Sequence, residues 1–263
     1  MTDAVLIRRD AGSIARLTLN TPQNLNALSD AMLAAMAAEF ANLAIDTSIR
    51  VVILAGAGKA FCAGHHLREM QAGRAAPDQG RTYYADLFKR CAAVMQMIPA
   101  LPQPVIAEVH GIATAAGCQL VASCDMAVAA TGTKFGVNGV NIGLFCSTPM
   151  VALTRNVPRK AAFEMLTTGH FIDTTRAVEL GLINRHVAQD MLEATTQSLA
   201  ETLAAKLGSA VKIGKRAFYD QIDLPLDQAY DHTAAAMVEN MLWRDTDEGI
   251  AAFLEKRDPD WKA

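Results

Sequence analysis

VHGIATAAGCQLVASCD, residues 109–125, joins an apolar run to a turn of small residues and then opens a helix. A turn of this kind leaves the first N–H groups of the helix without intrahelical acceptors, and the helix dipole adds positive potential at the same place. The stretch therefore presents backbone donors to a ligand oxygen. On the first helical turn, where a carboxylate would be the useful acid or base, the chain carries Gln119. The binding half of a catalytic site is present here and the proton-transfer half is not.

Upstream, VIAEV at residues 105–109 is a short apolar strand reached through Pro99, Pro102 and Pro104, which end the helix predicted over residues 82–97. Downstream, MAVAA at 126–130 reads as another strand. Further out, RVVIL at 50–54 is a continuous apolar run of the kind buried in a mostly parallel sheet, and SIARLTL at 13–19 alternates as a half-buried strand does. Between those two, Ser29 is placed to cap a helix beginning near Asp30, in which Met32, Leu33, Met36 and Phe40 recur at helical spacing. Residues 147–166 and 174–180 read as helices, Gly181 as a stop, and LINRHV as a short strand. Beyond about residue 190 only helices are predicted. The unit repeats as strand, strand, helix, so the fold class is α/β; QAGRAAPDQG at 71–80 is the candidate mobile loop.

Composition narrows the function classes. The 263 residues suffice for one large domain or a domain with a helical appendage, and 51% apolar with only 6% aromatic residues favours packed helices over an aromatic-rich sandwich. A net charge of −3 gives no general field for nucleic acid or an anionic membrane, so an anionic ligand has to be met locally. The five cysteines form no CxxC pair, which fits a reducing compartment. No His, Cys, Asp or Glu cluster has metal-ligand spacing. The amino terminus lacks the apolar core of a secretory signal, its two arginines with acidic neighbours make a poor transit peptide, and no apolar run is long enough to span a membrane. The expected placement is cytoplasmic.

Two glycine-rich turns carry the chemistry. AGAGKAFCAG at 55–64 fails as a nucleotide loop: a dinucleotide fingerprint needs glycine where Phe61 stands, and a phosphate loop needs glycine at Ile53 and a hydroxyl at Ala60. Paired with the later turn it reads better. Ala63-Gly64-His65 and Ala115-Ala116-Gly117 each follow a buried strand, and each is able to leave one N–H pointing into a shared pocket as an oxyanion hole. Small residues there also suit plain tight packing between strand and helix, which remains the other reading.

With LNALSDAM (25–32), RVVILAGAGKAFCAGHHLREM (50–70), PVIAEVHGIATAAGCQLVASCDMAVA (104–129), KFGVNGVNIGL (134–144), AAFEMLTTGHFIDTTRAVELGLINRHV (161–187) and DEGIAAFLEKRDPDW (247–261) in this order, the chain resembles the enoyl-CoA hydratase/isomerase family, the crotonase superfamily. The resemblance covers nearly the whole chain. It implies a crotonase-like spiral core of strand-strand-helix units over residues 1–190 and a C-terminal helical trimerisation region over 191–263, giving a homotrimer or a homohexamer built as a dimer of trimers. It implies an acyl-CoA thioester as ligand, with coenzyme A part of the substrate and no separate cofactor, and hydration of 2-enoyl-CoA as the family's default reaction. Carried over by position, the oxyanion-hole donors are the backbone N–H groups of His65 and Ala116. Leu25, Ala27, Ala63, His65, His66, Leu67 and Ala116 match positions lining the substrate groove. His65 replaces the family's usual alanine and His66 its usual aspartate.

The larger departures are at the acid and base. The two glutamates that flank the added water in family hydratases are Gln119 and Gly139 here. An amide does not exchange a proton at neutral pH and glycine has no side chain, so neither position is competent for two-carboxylate hydration. His65 and His66 are the speculative substitutes, being imidazoles beside a proposed donor; facing solvent or coenzyme A phosphates is the alternative. Cys146 reads first as a small buried hydrophobe and only second as a reactive thiol. His110, His170, Glu69 and Glu108 read as structural or helix-end groups, and Lys256 with Arg257 as either a phosphate contact or a solvated helix end. Two function classes stand: an acyl-CoA enzyme working through its oxyanion hole, or a catalytically weak acyl-CoA-binding protein.

Overall fold

The computed structural model describes residues 4–261. It opens with β1 (Leu6–Ala11) and β2 (Ile14–Leu19), an antiparallel pair turned at Gly12. β1, LIRRDA, was not predicted: its charged outer half has no apolar alternation, and pairing with β2 makes it a strand. α1 (Asp30–Ile45) begins as expected, with Ser29 Oγ accepting from the Met32 N–H at 3.1 Å. β3 (Val51–Gly56), α2 (Leu67–Gly73), α3 (Arg81–Ala100) and β4 (Val105–Val109) follow. α3 outruns its predicted end: Pro99 forfeits its own N–H bond but lies inside the helix, which stops one residue later at Ala100.

β5 (Ile112–Thr114), α4 (Ala116–Ser123), β6 (Met126–Ala130) and β7 (Lys134–Gly136) form the centre of the chain. The helix predicted over 147–166 is two helices, α5 (Pro149–Asn156) and α6 (Arg159–Thr168), separated by Val157 and Pro158 in extended conformation. α7 (Thr174–Glu179) ends at Gly181, whose φ is +78°, and β8 (Arg185–Val187) precedes α8 (Leu192–Ala204), α9 (Gly208–Gln221), α10 (Leu226–Met241) and α11 (Arg244–Glu255).

The main sheet has the order β1-β2-β3-β4-β6-β8, parallel throughout except for β1 with β2. β5 and β7 pair in parallel as a second, smaller sheet, to which Cys62 adds a bridge at Ala113. The predicted spiral of strand, strand and helix is thus present, its central turns giving β4 and β6 to the main sheet and β5 and β7 to the smaller one. Alternation divides β3 cleanly: Val52 and Leu54 enter the core shared with α1, α3 and α4, while Val51 and Ile53 meet α8 on the opposite face.

α9 is tied to this framework by a buried polar knot. Lys215 Nζ donates to Asp125 Oδ2 at 2.7 Å and to the carbonyls of Ile98 and Gln103, and Tyr219 donates to Asp125 Oδ1 at 2.8 Å. Burial lowers the Lys215 pKa against the pull of Asp125, and the carbonyl partners satisfy the ammonium protons. Beyond α8 the helices leave Phe218, Leu226, Tyr230, Leu242 and Phe253 exposed. The outermost bounds of the predicted division, residues 1–3 and 262–263, lie outside the described residues.

Candidate active site

The two small-residue turns meet. Cys62 N–H donates to the Ile112 carbonyl at 3.1 Å and Thr114 N–H returns a bond to the Cys62 carbonyl at 3.0 Å, so the first turn is bolted to β5 just ahead of the second. A Cβ on Gly64 (φ +89°) would stand 3.3 Å from the Ala116 nitrogen, and one on Gly117 would stand 2.2 Å from the Cys62 carbonyl oxygen. Gly117 therefore requires glycine for the approach itself, and Gly64 is held to glycine chiefly by its positive φ in a tight contact. Ala115 occupies φ +50°, a strained setting for a residue with a Cβ, and turns the chain into α4.

Among the described residues, neither the His65 N–H nor the Ala116 N–H donates to a protein acceptor. Both residues line one cavity of about 370 Å³ with largely apolar walls: Leu67, Met70 and Phe88 on one side, Ile142, Leu144 and Phe145 on the other. Two unpaired donors at a shared apolar cavity are the geometry that stabilises an oxyanion, since low dielectric strengthens each hydrogen bond and the fixed backbone needs no reorganisation. Ala63, Leu67 and Gly139 also line this cavity; Leu25, Ala27, His66 and Gln119 do not. The Leu25 carbonyl accepts from Ala63 N–H at 3.0 Å, and Leu28 N–H donates to the Gly64 carbonyl at 2.7 Å, so the 25–28 loop braces the first turn from behind. Buried Asn26 anchors that loop through its side chain to Thr21, Ala57 and Ala60.

The two histidines separate. The His66 ring caps α2, its Nδ1 accepting from Glu69 N–H at 3.3 Å. The His65 ring packs edge-on against Phe88 at 5.5 Å between centroids, with Nε2 buried and without a partner. Burial pushes its pKa down to about 4, so the imidazole is neutral at physiological pH and only a weak base.

Gln119 lies one helical turn beyond Ala116, 4% exposed, its Oε1 buried and unpartnered. At Gly139 the loop has closed over the space a side chain would need: a Cβ would meet the Leu144 carbonyl oxygen at 2.2 Å and Cys146 Sγ at 2.9 Å, and Cys146 Sγ accepts the Gly139 N–H. Among the described residues, no carboxylate lines the cavity. Burial raises the Cys146 pKa, which keeps it a thiol. Glu69 caps α1 through the Asp30 N–H, Glu108 pairs with Arg16, and Arg257 pairs with Glu248 and Glu255.

Sequence reasoning passed over Phe88, Met70 and the Thr114–Asn138 pair, which line the same cavity. Thr114 and Asn138 are 24 residues apart and meet through the pairing of β5 with β7, which no local pattern announces. Among the described residues no group of three or more His, Cys, Asp or Glu is placed to hold a metal, and no helix is long and apolar enough to cross a membrane.

Comparison with known proteins agrees with this architecture. The enoyl-CoA hydratase/isomerase family model matches residues 9–263. Enoyl-CoA hydratase domain-containing protein 3, mitochondrial, of Homo sapiens is 44% identical over 96% of this chain and 82% of its own length, and that of Xenopus laevis is 43% identical over 99% and 86%. The AAGCQLVASCD and VNIGLFCSTP segments already resemble that branch in the sequence. Among solved structures, a Mycobacterium smegmatis enoyl-CoA hydratase superposes with TM-score 0.94 at 53% identity, covering 98% of this chain and 99% of that one. The human domain-containing protein 3 superposes with TM-score 0.93, covering 98% and 100%. The cytoplasmic expectation is corrected by the same relatives, which are named mitochondrial. It rested on the composition of the amino terminus and on cysteine spacing, neither of which reports a compartment directly. With the spiral, the paired turns and the relatives in agreement, the chain belongs to the enoyl-CoA hydratase/isomerase family of the crotonase superfamily.

Proposed function

We propose that this chain acts on acyl-CoA thioesters, gripping the thioester carbonyl between the N–H groups of His65 and Ala116 and turning over 2-enoyl-CoA slowly by carbonyl polarisation alone. The observation that carries this reading is the pair of unbonded backbone N–H groups at one apolar cavity. Polarisation lowers the electron density at the β carbon of an enoyl thioester and stabilises the enolate formed when water adds. Without Glu at 119 and 139 the proton steps fall to water, which forfeits about a hundred- to ten-thousandfold in rate. Coenzyme A enters as part of the substrate; of the positions that match the family's groove outside the donor turns, Leu67 lines the cavity, and Leu25, Ala27 and His66 act by bracing the first turn and α2. The exposed apolar residues of α9 to α11 support assigning residues 191–263 to trimerisation, as a homotrimer or a dimer of trimers.

A second reading, an acyl-CoA-binding protein without useful turnover, is favoured by the absence of any carboxylate among the described residues that line the cavity. One experiment tests both. Calorimetric titration with crotonyl-CoA is expected to show saturable binding, and the enoyl absorbance of the same mixture to fall slowly. Binding with a constant absorbance favours the second reading, and no binding of any coenzyme A derivative overturns both.

A further inference from the structure

His65 gives the cavity more than a backbone donor. Its imidazole packs edge-on against Phe88, centroids 5.5 Å apart and planes at 85°, and both residues line the cavity on the side that also carries Leu67 and Met70. Nε2 is buried without a protein partner, so packing, and no hydrogen bond from that atom, sets where the ring lies. Desolvation keeps the ring neutral, and an uncharged ring sits in an apolar wall without the cost of a buried ion. The imidazole also leaves the same Cα as the His65 N–H, which puts its bulk next to the point where that N–H meets a ligand oxygen. The 138–149 loop bounds the other side of the cavity with Gly139 and Cys146, whose sulfur accepts the Gly139 N–H.

The acyl carbon bonded to the thioester carbonyl has to stand between these two walls. A methylene there is slim, whereas a carbon bearing methyl branches meets the ring. Resting on the acyl-CoA reading above, we infer that the His65 side chain is a specificity-determining wall that admits straight acyl chains and turns away chains branched at the carbon beside the carbonyl. The selection works by shape: the backbone donor fixes where the carbonyl sits, and the ring of the same residue fixes what fits beside it. A packed apolar wall resists added bulk because its side chains have to leave their rotamers to make room, and the Phe88 contact blocks one direction of retreat.

The test is calorimetric titration with valeryl-CoA and pivaloyl-CoA, isomers that carry the same carbons in a straight chain or as methyl groups on a single carbon, so that hydrophobic transfer nearly cancels between them. The wild type is expected to bind valeryl-CoA about tenfold more tightly, the effect of moderate overpacking by the branched isomer. His65→Ala is expected to bring the two affinities within about threefold of each other, and His65→Leu, which returns the bulk without the imidazole, to restore the ratio. Phe88→Ala, which removes the support of the ring and leaves His65 in place, is expected to lower the ratio as well. Equal binding of the two isomers by the wild type overturns the selection and leaves the acyl-CoA reading standing. A ratio that persists in His65→Ala, or in Phe88→Ala where His65→Ala does not fold, places the wall elsewhere, and a ratio still lost in His65→Leu assigns it to imidazole chemistry; either result overturns the inference. No binding of either isomer by the wild type overturns the acyl-CoA reading itself, and this inference with it.

Discussion

The turns at 63–65 and 114–117 do their work with main chain, whereas the loop at 138–149 lines the same cavity with side chains. On the proposed reading the backbone donors belong to the first region, while the positions without a proton carrier are Gln119 on α4 and Gly139 in the second. A backbone N–H persists through substitution of its own side chain, so His65 is tolerated at a donor position. A proton carrier exists only as a side chain, and Gln119 and Gly139 remove it. Leu144 and Cys146 occupy the space a side chain at Gly139 would need.

The same substitution in each region separates them most sharply. Gly117→Ala and Gly139→Ala each bring a Cβ to 2.2 Å from a carbonyl oxygen. At Gly117 that oxygen belongs to buried Cys62, whose movement parts the two turns. Gly117→Ala is expected to destabilise the protein by about 3 kcal/mol and to abolish saturable crotonyl-CoA binding, followed by urea unfolding and calorimetry. Unchanged binding would break the comparison.

Gln119→Glu restores one carboxyl on the helix that carries the Ala116 donor. Enoyl-CoA turnover is expected to rise about a hundredfold, the lower end of what general acid–base catalysis contributes, measured by loss of enoyl absorbance. Burial raises the pKa of the new carboxyl, so its folded-state value lies above the unfolded one and the variant loses stability as pH rises between them. Turnover at the wild-type rate would show that position 119 does not reach the reacting atoms.

His65 gives a pH test of the first region. Its folded pKa, about 4, lies below the ordinary 6.5, so the unfolded chain takes up a proton that the folded chain refuses. Stability is full above pH 6.5 and is lost as pH falls toward 4. Urea unfolding at pH 7 and pH 5 is expected to differ by about 2 kcal/mol from this group, a difference that disappears in His65→Gln. The smallest effect belongs to Gly139→Ala, about 1 kcal/mol with acyl-CoA affinity retained, because the exposed Leu144 loop is able to shift.

What was legible in the sequence follows the same division. β4 and β6 fall at their predicted bounds because each is a short apolar run closed by proline, glycine or the Cys124-Asp125 pair, and the paired turns were legible because close backbone approach demands small residues. β1, β5 and β7 were not, since a six-residue stretch with three charged residues and none buried, or three residues each, become strands only through their partners. The division of one predicted helix into α5 and α6 was written at Pro158 and overlooked. The Thr114–Asn138 pair and the capping role of His66 depend on tertiary placement and on side-chain direction, which spacing does not report.

The central claim is that two backbone N–H groups hold the thioester carbonyl. Isotope-edited infrared spectroscopy of butyryl-CoA labelled with carbon-13 at the carbonyl reads that bond directly. The C=O stretch is expected to shift to lower frequency on binding to the wild-type protein. A bound thioester whose stretch stays at its solution frequency would contradict it.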